Sequence, residues 1–217
     1  MHLDISHNKI DRFHLQTFAP VVNSLKTINF SGNNLPLNEI ALVLQILSDI
    51  HGVSLANLSL QDIPPNFFIY NEHLVSLDIS WNKLTKFPCK FLTKTKFLQK
   101  LDISHNRLHT LNEEDLQRLE AIASVDLSKN HWRCDHCSVG TMVTYMTTTV
   151  LNASIRHLTC HSPLRLDVRS ASLSSLLQLV PGHLNPLHFA TCRRIYSKFP
   201  EKLCDTMKMI WCKFFGR

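Results

Sequence analysis

LDISWNKL at residues 77–84 returns almost unchanged as LDISHNRL at residues 101–108. Four further stretches share this spacing of apolar residues: LDISHNKI at 3–10, INFSGNNL at 28–35, VSLANLSL at 53–60 and VDLSKNHW at 125–132. The asparagine of the pattern recurs at intervals of 25, 49, 24 and 24 residues. The interval of 49 residues contains the third copy, in which Leu58 replaces the asparagine. A fixed period in this range predicts a solenoid of stacked repeats.

The pattern predicts an α/β leucine-rich repeat solenoid, a right-handed horseshoe-like coil with short parallel strands on its concave face. In each Leu-x-Leu unit two side chains point into the core and one points outward. Each coil buries its apolar residues only against its neighbours. A second apolar column, expected on the convex side, lies ten residues past four of the asparagine positions: Phe18, Phe68, Leu92 and Leu116. The second repeat instead has apolar residues at helical spacing: Ile40, Leu44 and Leu47.

The recurring asparagine turns the chain out of the strand. Its side-chain amide satisfies backbone groups that a tight buried turn leaves without partners. Leu58 has no amide, so we expect the third repeat to have a looser turn or to use a polar group from elsewhere.

Length and composition predict one elongated domain with a cap. The 217 residues are 44% hydrophobic, which is ample for a core, and no run of 18 apolar residues is present. Met1 and His2 lead directly into a repeat without a signal peptide, so we expect a fragment that lacks its N-terminal cap and upstream repeats. The predicted boundaries are repeats at 1–130, a cysteine-rich cap at 131–192 and a basic tail at 193–217.

Positive charge is concentrated after the repeats. Residues 1–130 contain 12 Lys+Arg and 13 Asp+Glu, whereas the last 87 residues contain 11 and 4. This imbalance indicates either a soluble basic cap or a docking face for an anionic partner. No aromatic-interleaved RNA motif or basic recognition helix accompanies it, so we expect no nucleic-acid partner.

Six of the seven cysteines follow residue 130: Cys134, Cys137, Cys160, Cys192, Cys204 and Cys212. The last repeat runs into NHWRCDHC at 130–137, and CHSPLR follows at 160–165. This arrangement resembles the cysteine-rich C-terminal cap of extracellular leucine-rich repeat proteins, in particular Toll-like receptor ectodomains and variable lymphocyte receptors. The resemblance covers about residues 1–192 and implies an innate-immune type of receptor.

The same resemblance implies crossed disulfides, Cys134–Cys160 and Cys137–Cys192. The chain departs from the family in its Cys-x-x-Cys start, where Cys-x-Cys is usual, and in the long interval before Cys192. Cys204 and Cys212 lie outside the family pattern and are compatible with a local third bridge, which leaves Cys89 unpaired.

Zinc binding is an alternative reading of the same segment. Cys134, Cys137 and Cys160, together with His157 and His161, have metal-ligand side chains at plausible spacing. Because the cysteines stand where the cap family has them and further cysteines follow, we favour disulfides and expect neither metal nor cofactor.

Three Asn-x-Ser sequons begin at Asn29, Asn57 and Asn152. They are glycosylation sites if the chain passes through a secretory compartment. Asn29 occupies an outward strand position, where a glycan would cover part of the concave face, so Asn152 is the preferred site.

The predicted role is recognition, because no nucleophile motif, Gly-rich phosphate loop or His-Glu-x-x-His helix is present. The position before the asparagine varies from repeat to repeat: His7, Gly32, Asn57, Trp81, His105 and Lys129. Variety on a regular scaffold suits a specificity surface, and an exposed tryptophan is a common hot spot, unless Trp81 folds over the Lys83 or Lys100 stem. The candidate ligand-binding residues are therefore His7, Asn57, Trp81, His105 and Lys129. Asp78 and Asp102 join them from the acidic column, the outward strand position that holds Asp4, Asp78, Asp102 and Asp126.

We expect an extracellular or cell-surface protein that binds a protein, glycan or pathogen-type ligand on this face. A second, anionic partner would bind the basic tail, and membrane attachment would come only through missing segments. The alternatives are a cytoplasmic leucine-rich repeat scaffold with zinc or reduced thiols, and a matrix-type binding protein.

Overall fold

A computed structural model describes residues 1–132 of the chain, apart from the side chain of Glu113. It contains six three-residue strands: β1 His2–Asp4, β2 Thr27–Asn29, β3 Gly52–Ser54, β4 Ser76–Asp78, β5 Lys100–Asp102 and β6 Ser124–Asp126. They form one parallel sheet in sequence order, as predicted, and every strand pairs in register with the next. The fold is a leucine-rich repeat solenoid.

Each of the strands β2 to β6, with the residue pair that follows it, buries two apolar side chains, whereas the equivalent Leu3 and Ile5 of the first repeat are partly buried. In the fourth repeat these are Leu77, 1% exposed, and Ile79, which is fully buried, while Ser76 and Asp78 point outward. The outward side chains of the six strands make up a surface that we call the strand face. The alternation fixes the phase of every strand because a slip of one residue would exchange the buried and outward side chains.

Helical segments cover the opposite side of the sheet in four repeats. They are the α-helices α1 Leu37–Ile46 and α2 Glu113–Glu120, and the 3-10 helices Leu15–Val21 and Cys89–Thr93. The second repeat, with its helical apolar spacing, is the one that forms α1, where Ile40 and Leu44 are fully buried. Helix α2 begins with a capping box, in which the side chains of Asn112 and Asp115 each accept a hydrogen bond from the other's backbone N–H.

The second apolar column is confirmed at three of its four positions. Phe18, Phe68 and Leu116 are buried. Leu92 is only partly buried, and the neighbouring Phe91, 1% exposed, packs against Phe68 with ring centroids 5.5 Å apart. Leu92 therefore packs against the edge of the core, one residue away from the fully buried position, which Phe91 occupies in the fourth repeat.

The asparagine of each regular turn also serves the repeat before it. The Asn106 side chain accepts from the backbone N–H of Leu84 (3.1 Å) and donates to the carbonyls of Ile79 (3.0 Å) and Ile103 (3.2 Å). In the third repeat, where the asparagine is missing, Ser59 adopts a positive φ of 59°, a feature shared only by Lys9 at the equivalent position of the first repeat. Because the first repeat keeps its asparagine and has the same conformation, this φ does not mark a looser turn. The other expected outcome is present instead: Asn82 of the next repeat accepts the backbone N–H groups of Leu58 and Leu60.

Neither described helix is long and apolar enough to cross a lipid bilayer. The predicted disulfide cap, the zinc alternative and the basic tail lie outside the described residues.

Candidate functional site

The outward aspartates of the strand face shape the turns that follow them. Asp78 Oδ1 accepts the backbone N–H of Ser80 at 2.9 Å, and Asp102 Oδ1 accepts that of Ser104 at the same distance. Asp126 does the same for Ser128 at 2.8 Å. These carboxylates therefore hold the backbone in place just before the residue that precedes the asparagine.

The carboxyl at the centre of the acidic column, that of Asp102, has a raised pKa. Asp102 lies between Asp78 and Asp126 on paired strands. Burial raises the pKa of the Asp102 carboxyl. The hydrogen bonds from Ser104 lower this pKa, and the negative charges of Asp78 and Asp126 raise it. Further along the sheet Asn29 takes the same position, and its amide donates to Asp4 Oδ2 at 3.2 Å, so no repulsion arises there.

All six residues of the variable column adopt the left-handed backbone conformation. Their φ values lie between 52° and 67°: His7, Gly32, Asn57, Trp81, His105 and Lys129. The backbone N–H groups of the first five donate to the next repeat, as from Trp81 to the Ser104 carbonyl and from His105 to the Ser128 carbonyl, both at 3.1 Å. This turn lies three residues beyond the last strand residue and directs successive side chains to the same edge of the sheet.

Trp81 and His105 stack face to face on the outside of the molecule. Their ring centroids are 3.8 Å apart and their planes differ by 15°. Trp81 is nevertheless 60% exposed, and His105 is half-buried and bonds Ser104 Oγ through Nδ1 (3.2 Å). Trp81 therefore packs on the histidine of the next repeat.

The remaining column residues are more widely distributed. His7 lies over Gly32, so that a Cβ added to Gly32 would approach its Nδ1 to 2.2 Å. Asn57 and Lys129 are exposed on either side of the Trp81–His105 stack. Six of the predicted residues lie in the third to sixth repeats: Asn57, Asp78, Trp81, Asp102, His105 and Lys129. His7 lies at the other end of the sheet.

Two sequons fall within the described residues and differ in availability. The Asn29 amide is used in both directions, since Oδ1 accepts from Ser31 N–H (3.0 Å) and Nδ2 donates to Asp4. Asn57 is exposed in its turn, so a glycan there would stand next to Trp81. Asn152 lies outside the described residues.

No group of three or more metal-ligating side chains occurs within residues 1–132. Cys89 has no disulfide partner within the described part of the chain and is buried, 7% exposed. Burial, followed by the nearby Asp115 carboxylate, raises the pKa of this thiol to about 11. A thiol in this environment is a packing residue and not a nucleophile.

Lys83 and Arg107 are candidate site residues that the sequence reasoning did not single out. They stand two positions after Trp81 and His105, on the same edge of the sheet, and both are exposed. Their recurrence at one position of the repeat was visible in the sequence, because it follows the same 24-residue period as the asparagines.

Comparison with known proteins supports the same fold. The Leucine rich repeat family matches residues 72–131. No curated protein is significantly similar in sequence to the chain.

Among solved structures, human 5T4 (Wnt-activated inhibitory factor 1, trophoblast glycoprotein) is similar with a TM-score of 0.66 at 24% identity, over 80% of this chain and 66% of that one. A chain of the mouse RP105/MD-1 complex gives 0.65 at 22% identity, over 79% and 28%. A chain of the octameric complex of Latrophilin 3, Unc5D and FLRT2 gives 0.63 at 22% identity, over 86% and 53%. The chain thus spans between about a quarter and two thirds of the length of these proteins.

Proposed function

We propose that this chain is a non-catalytic recognition module, part of the ectodomain of a secreted or cell-surface leucine-rich repeat receptor. Its partner is a protein or a glycan, which it binds on the strand face and the adjoining turns of repeats four to six. The resemblance of the C-terminal cysteines to the Toll-like receptor cap supports an innate-immune type of receptor.

The exposed Trp81–His105 stack is the observation that carries this proposal. A large aromatic side chain left 60% exposed has no role in the core, yet here its conformation is fixed by stacking and by a hydrogen-bonded turn. Binding to a side chain that is already ordered loses less entropy than binding to a mobile one. Tryptophan is also among the residues most enriched at binding hot spots.

The solved complexes support a protein partner by analogy of fold alone. RP105 is seen with MD-1, and FLRT2 is seen with Latrophilin 3 and Unc5D. These are partners of those proteins, and they serve here only as precedents for recognition by a leucine-rich repeat scaffold.

The test is binding of the full chain to a panel of secreted and cell-surface ectodomains and to a glycan array. Trp81→Ala should weaken every specific interaction by about 1–4 kcal/mol. Phe97→Ala is the matched control, because Phe97 is equally exposed, at 59%, but lies on the opposite edge of the sheet, where the chain enters β5. Equal effects of the two substitutions, or no binder in either collection, would contradict the proposal.

A further inference from the structure

The carboxyl ends of the last three strands meet at an edge that has no acidic residue. We define this carboxyl edge as residues 79–88, 103–112 and 127–132, the segments that leave β4, β5 and β6. It contains no Asp or Glu, and it contains four cations and three histidines: Lys83, Lys86, Arg107, Lys129, His105, His109 and His131. The repeats as a whole carry slightly more acid than base, so the edge is a local concentration of positive charge.

The four cations of this edge are available to a ligand. All four are exposed, and none has a carboxylate within 4 Å among the described side chains. Elsewhere in the repeats, by contrast, Lys26 pairs with Asp49 and Arg118 pairs with Glu114.

The bordering acids are engaged or lie on other surfaces. Asp78, Asp102 and Asp126 belong to the strand face and accept backbone N–H groups. Asp62, in the neighbouring third repeat, accepts the backbone N–H of Ile63 at 2.8 Å. Glu114 lies beyond the edge, on α2, and pairs with Arg118.

The cations emerge from an ordered backbone. The N–H of Lys83 donates to the Leu60 carbonyl at 2.7 Å, and that of Arg107 donates to the Leu84 carbonyl at 2.9 Å. The two residues are one repeat apart, so their backbones are separated by about 5 Å, the spacing of paired strands. Lys129 lies two positions earlier in its repeat than Lys83 and Arg107, in the column of Trp81 and His105, and adds a third cation in the sixth repeat.

We infer that the carboxyl edge binds a sulfated glycan, with Lys83, Arg107 and Lys129 holding the sulfate groups and Trp81 packing against a sugar ring. This inference rests on the proposed recognition function and names a ligand class for its site. A linear polyanion matches a line of cations in which Lys83 and Arg107 stand one strand spacing apart and Lys129 follows in the next repeat, offset by two positions. Charge complementarity of this kind favours the encounter with the ligand.

Two other polyanions fit the edge less well. Single-stranded nucleic acids are held by successive aromatic side chains, whereas Trp81 is the one exposed large aromatic residue on this edge. Binding to an anionic membrane would need aliphatic side chains that insert into the lipid. Leu42 and Ile69 are exposed, but they lie outside the carboxyl edge.

The experiment measures binding of the full chain to a heparin-derived dodecasaccharide at 150 mM salt. The edge variant combines Lys83→Gln, Arg107→Gln and Lys129→Gln. The matched control combines Lys90→Gln, Lys94→Gln and Lys96→Gln, which removes the same charge from exposed positions outside the edge. We expect the edge variant to bind about tenfold more weakly and the control to change by less than about twofold, because only contacting cations lose their electrostatic attraction.

Equal losses in the two variants would overturn the inference. So would a larger loss on neutralising Arg193, Arg194, Lys198 and Lys202 in the basic tail than on neutralising the edge. Tighter binding to a 12-nucleotide single strand or to phosphatidylserine vesicles would replace the glycan with that class of ligand.

Trp81→Ala separates this inference from the proposed function. If Trp81→Ala weakens a protein or glycan partner but the edge variant does not affect dodecasaccharide binding, the sulfated-glycan inference alone fails. If Trp81→Ala affects no partner, the proposed recognition site itself is wrong.

Discussion

Asn82 of the fourth repeat stabilises the turn at Leu58 of the third. Its Oδ1 accepts the backbone N–H of Leu58 at 3.1 Å and that of Leu60 at 3.0 Å, while Nδ2 donates to the Leu55 carbonyl at 2.9 Å. The one turn that lacks its own asparagine therefore depends on its neighbour's side chain.

We expect Asn82→Leu to lower the free energy of unfolding by about 2–4 kcal/mol, because it leaves several buried backbone groups without partners. Asn8→Leu is the control, since Asn8 is exposed and its amide donates only to the nearby Ser6 carbonyl. Chemical denaturation of both variants measures the difference. A loss for Asn8→Leu as large as that for Asn82→Leu would show that the bridging bonds are unimportant.

Asp102→Asn should stabilise the protein at neutral pH. The raised pKa means that the folded state binds the proton more tightly than the unfolded state, so stability falls as pH rises through the interval above the ordinary aspartate value. Asparagine removes the like charge and keeps the turn, as Asn29 does by accepting Ser31 N–H at 3.0 Å.

Thermal melts should show a higher Tm for Asp102→Asn than for the wild type at pH 7, with the difference disappearing near pH 3. Asp126→Asn serves as the comparison, since Asp126 is exposed on the last described strand and should respond less. A lower Tm for Asp102→Asn at pH 7 would mean that the carboxylate makes a favourable contribution that the turn geometry does not explain.

Cys89 should resist alkylation in the native protein. With a pKa of about 11, only about one thiol in a thousand is ionised at pH 8. Peptide mapping after iodoacetamide treatment should find residue 89 unmodified in the folded chain and modified after denaturation. Rapid native labelling would show that the segment around Cys89 opens readily or that the thiolate is stabilised.

The cap cysteines should be oxidised if the chain is extracellular. Each predicted disulfide, Cys134–Cys160 and Cys137–Cys192, should contribute about 2–5 kcal/mol relative to the reduced protein. Dithiothreitol should then lower the Tm and a zinc chelator should not. The opposite pattern would favour the cytoplasmic alternative with a zinc site.

The strands and their phase were predictable because the same spacing of apolar residues recurs six times. Leu77 and Leu101 had to be buried for adjacent coils to pack, and both are. The buried position near Leu92 was misplaced by one residue because the repeat period does not fix the phase of the helical side. The 3-10 helix Cys89–Thr93 buries Phe91, whereas the 3-10 helix Leu15–Val21 buries Phe18 at the predicted position.

The site was predicted as a set of positions but not as an arrangement. The column from His7 to Lys129 followed from the repeat, whereas the stacking of Trp81 on His105 depends on the rotamers of two side chains in different repeats. The raised pKa of Asp102 was not predictable either, because it depends first on how deeply the carboxylate is buried and then on the charges of Asp78 and Asp126.

The left-handed turns have a consequence for engineering. His7, Asn57, Trp81, His105 and Lys129 all adopt this backbone conformation, so four different kinds of side chain occupy the same geometry. Positions 57, 81, 105 and 129 are therefore suitable for a combinatorial library that omits proline and β-branched residues, which tolerate this conformation least. Position 32 should stay glycine in such a library, since any side chain there would displace His7. The residues that form the core of the coil are different from those proposed to determine binding specificity, so new specificities could be selected without redesigning the fold.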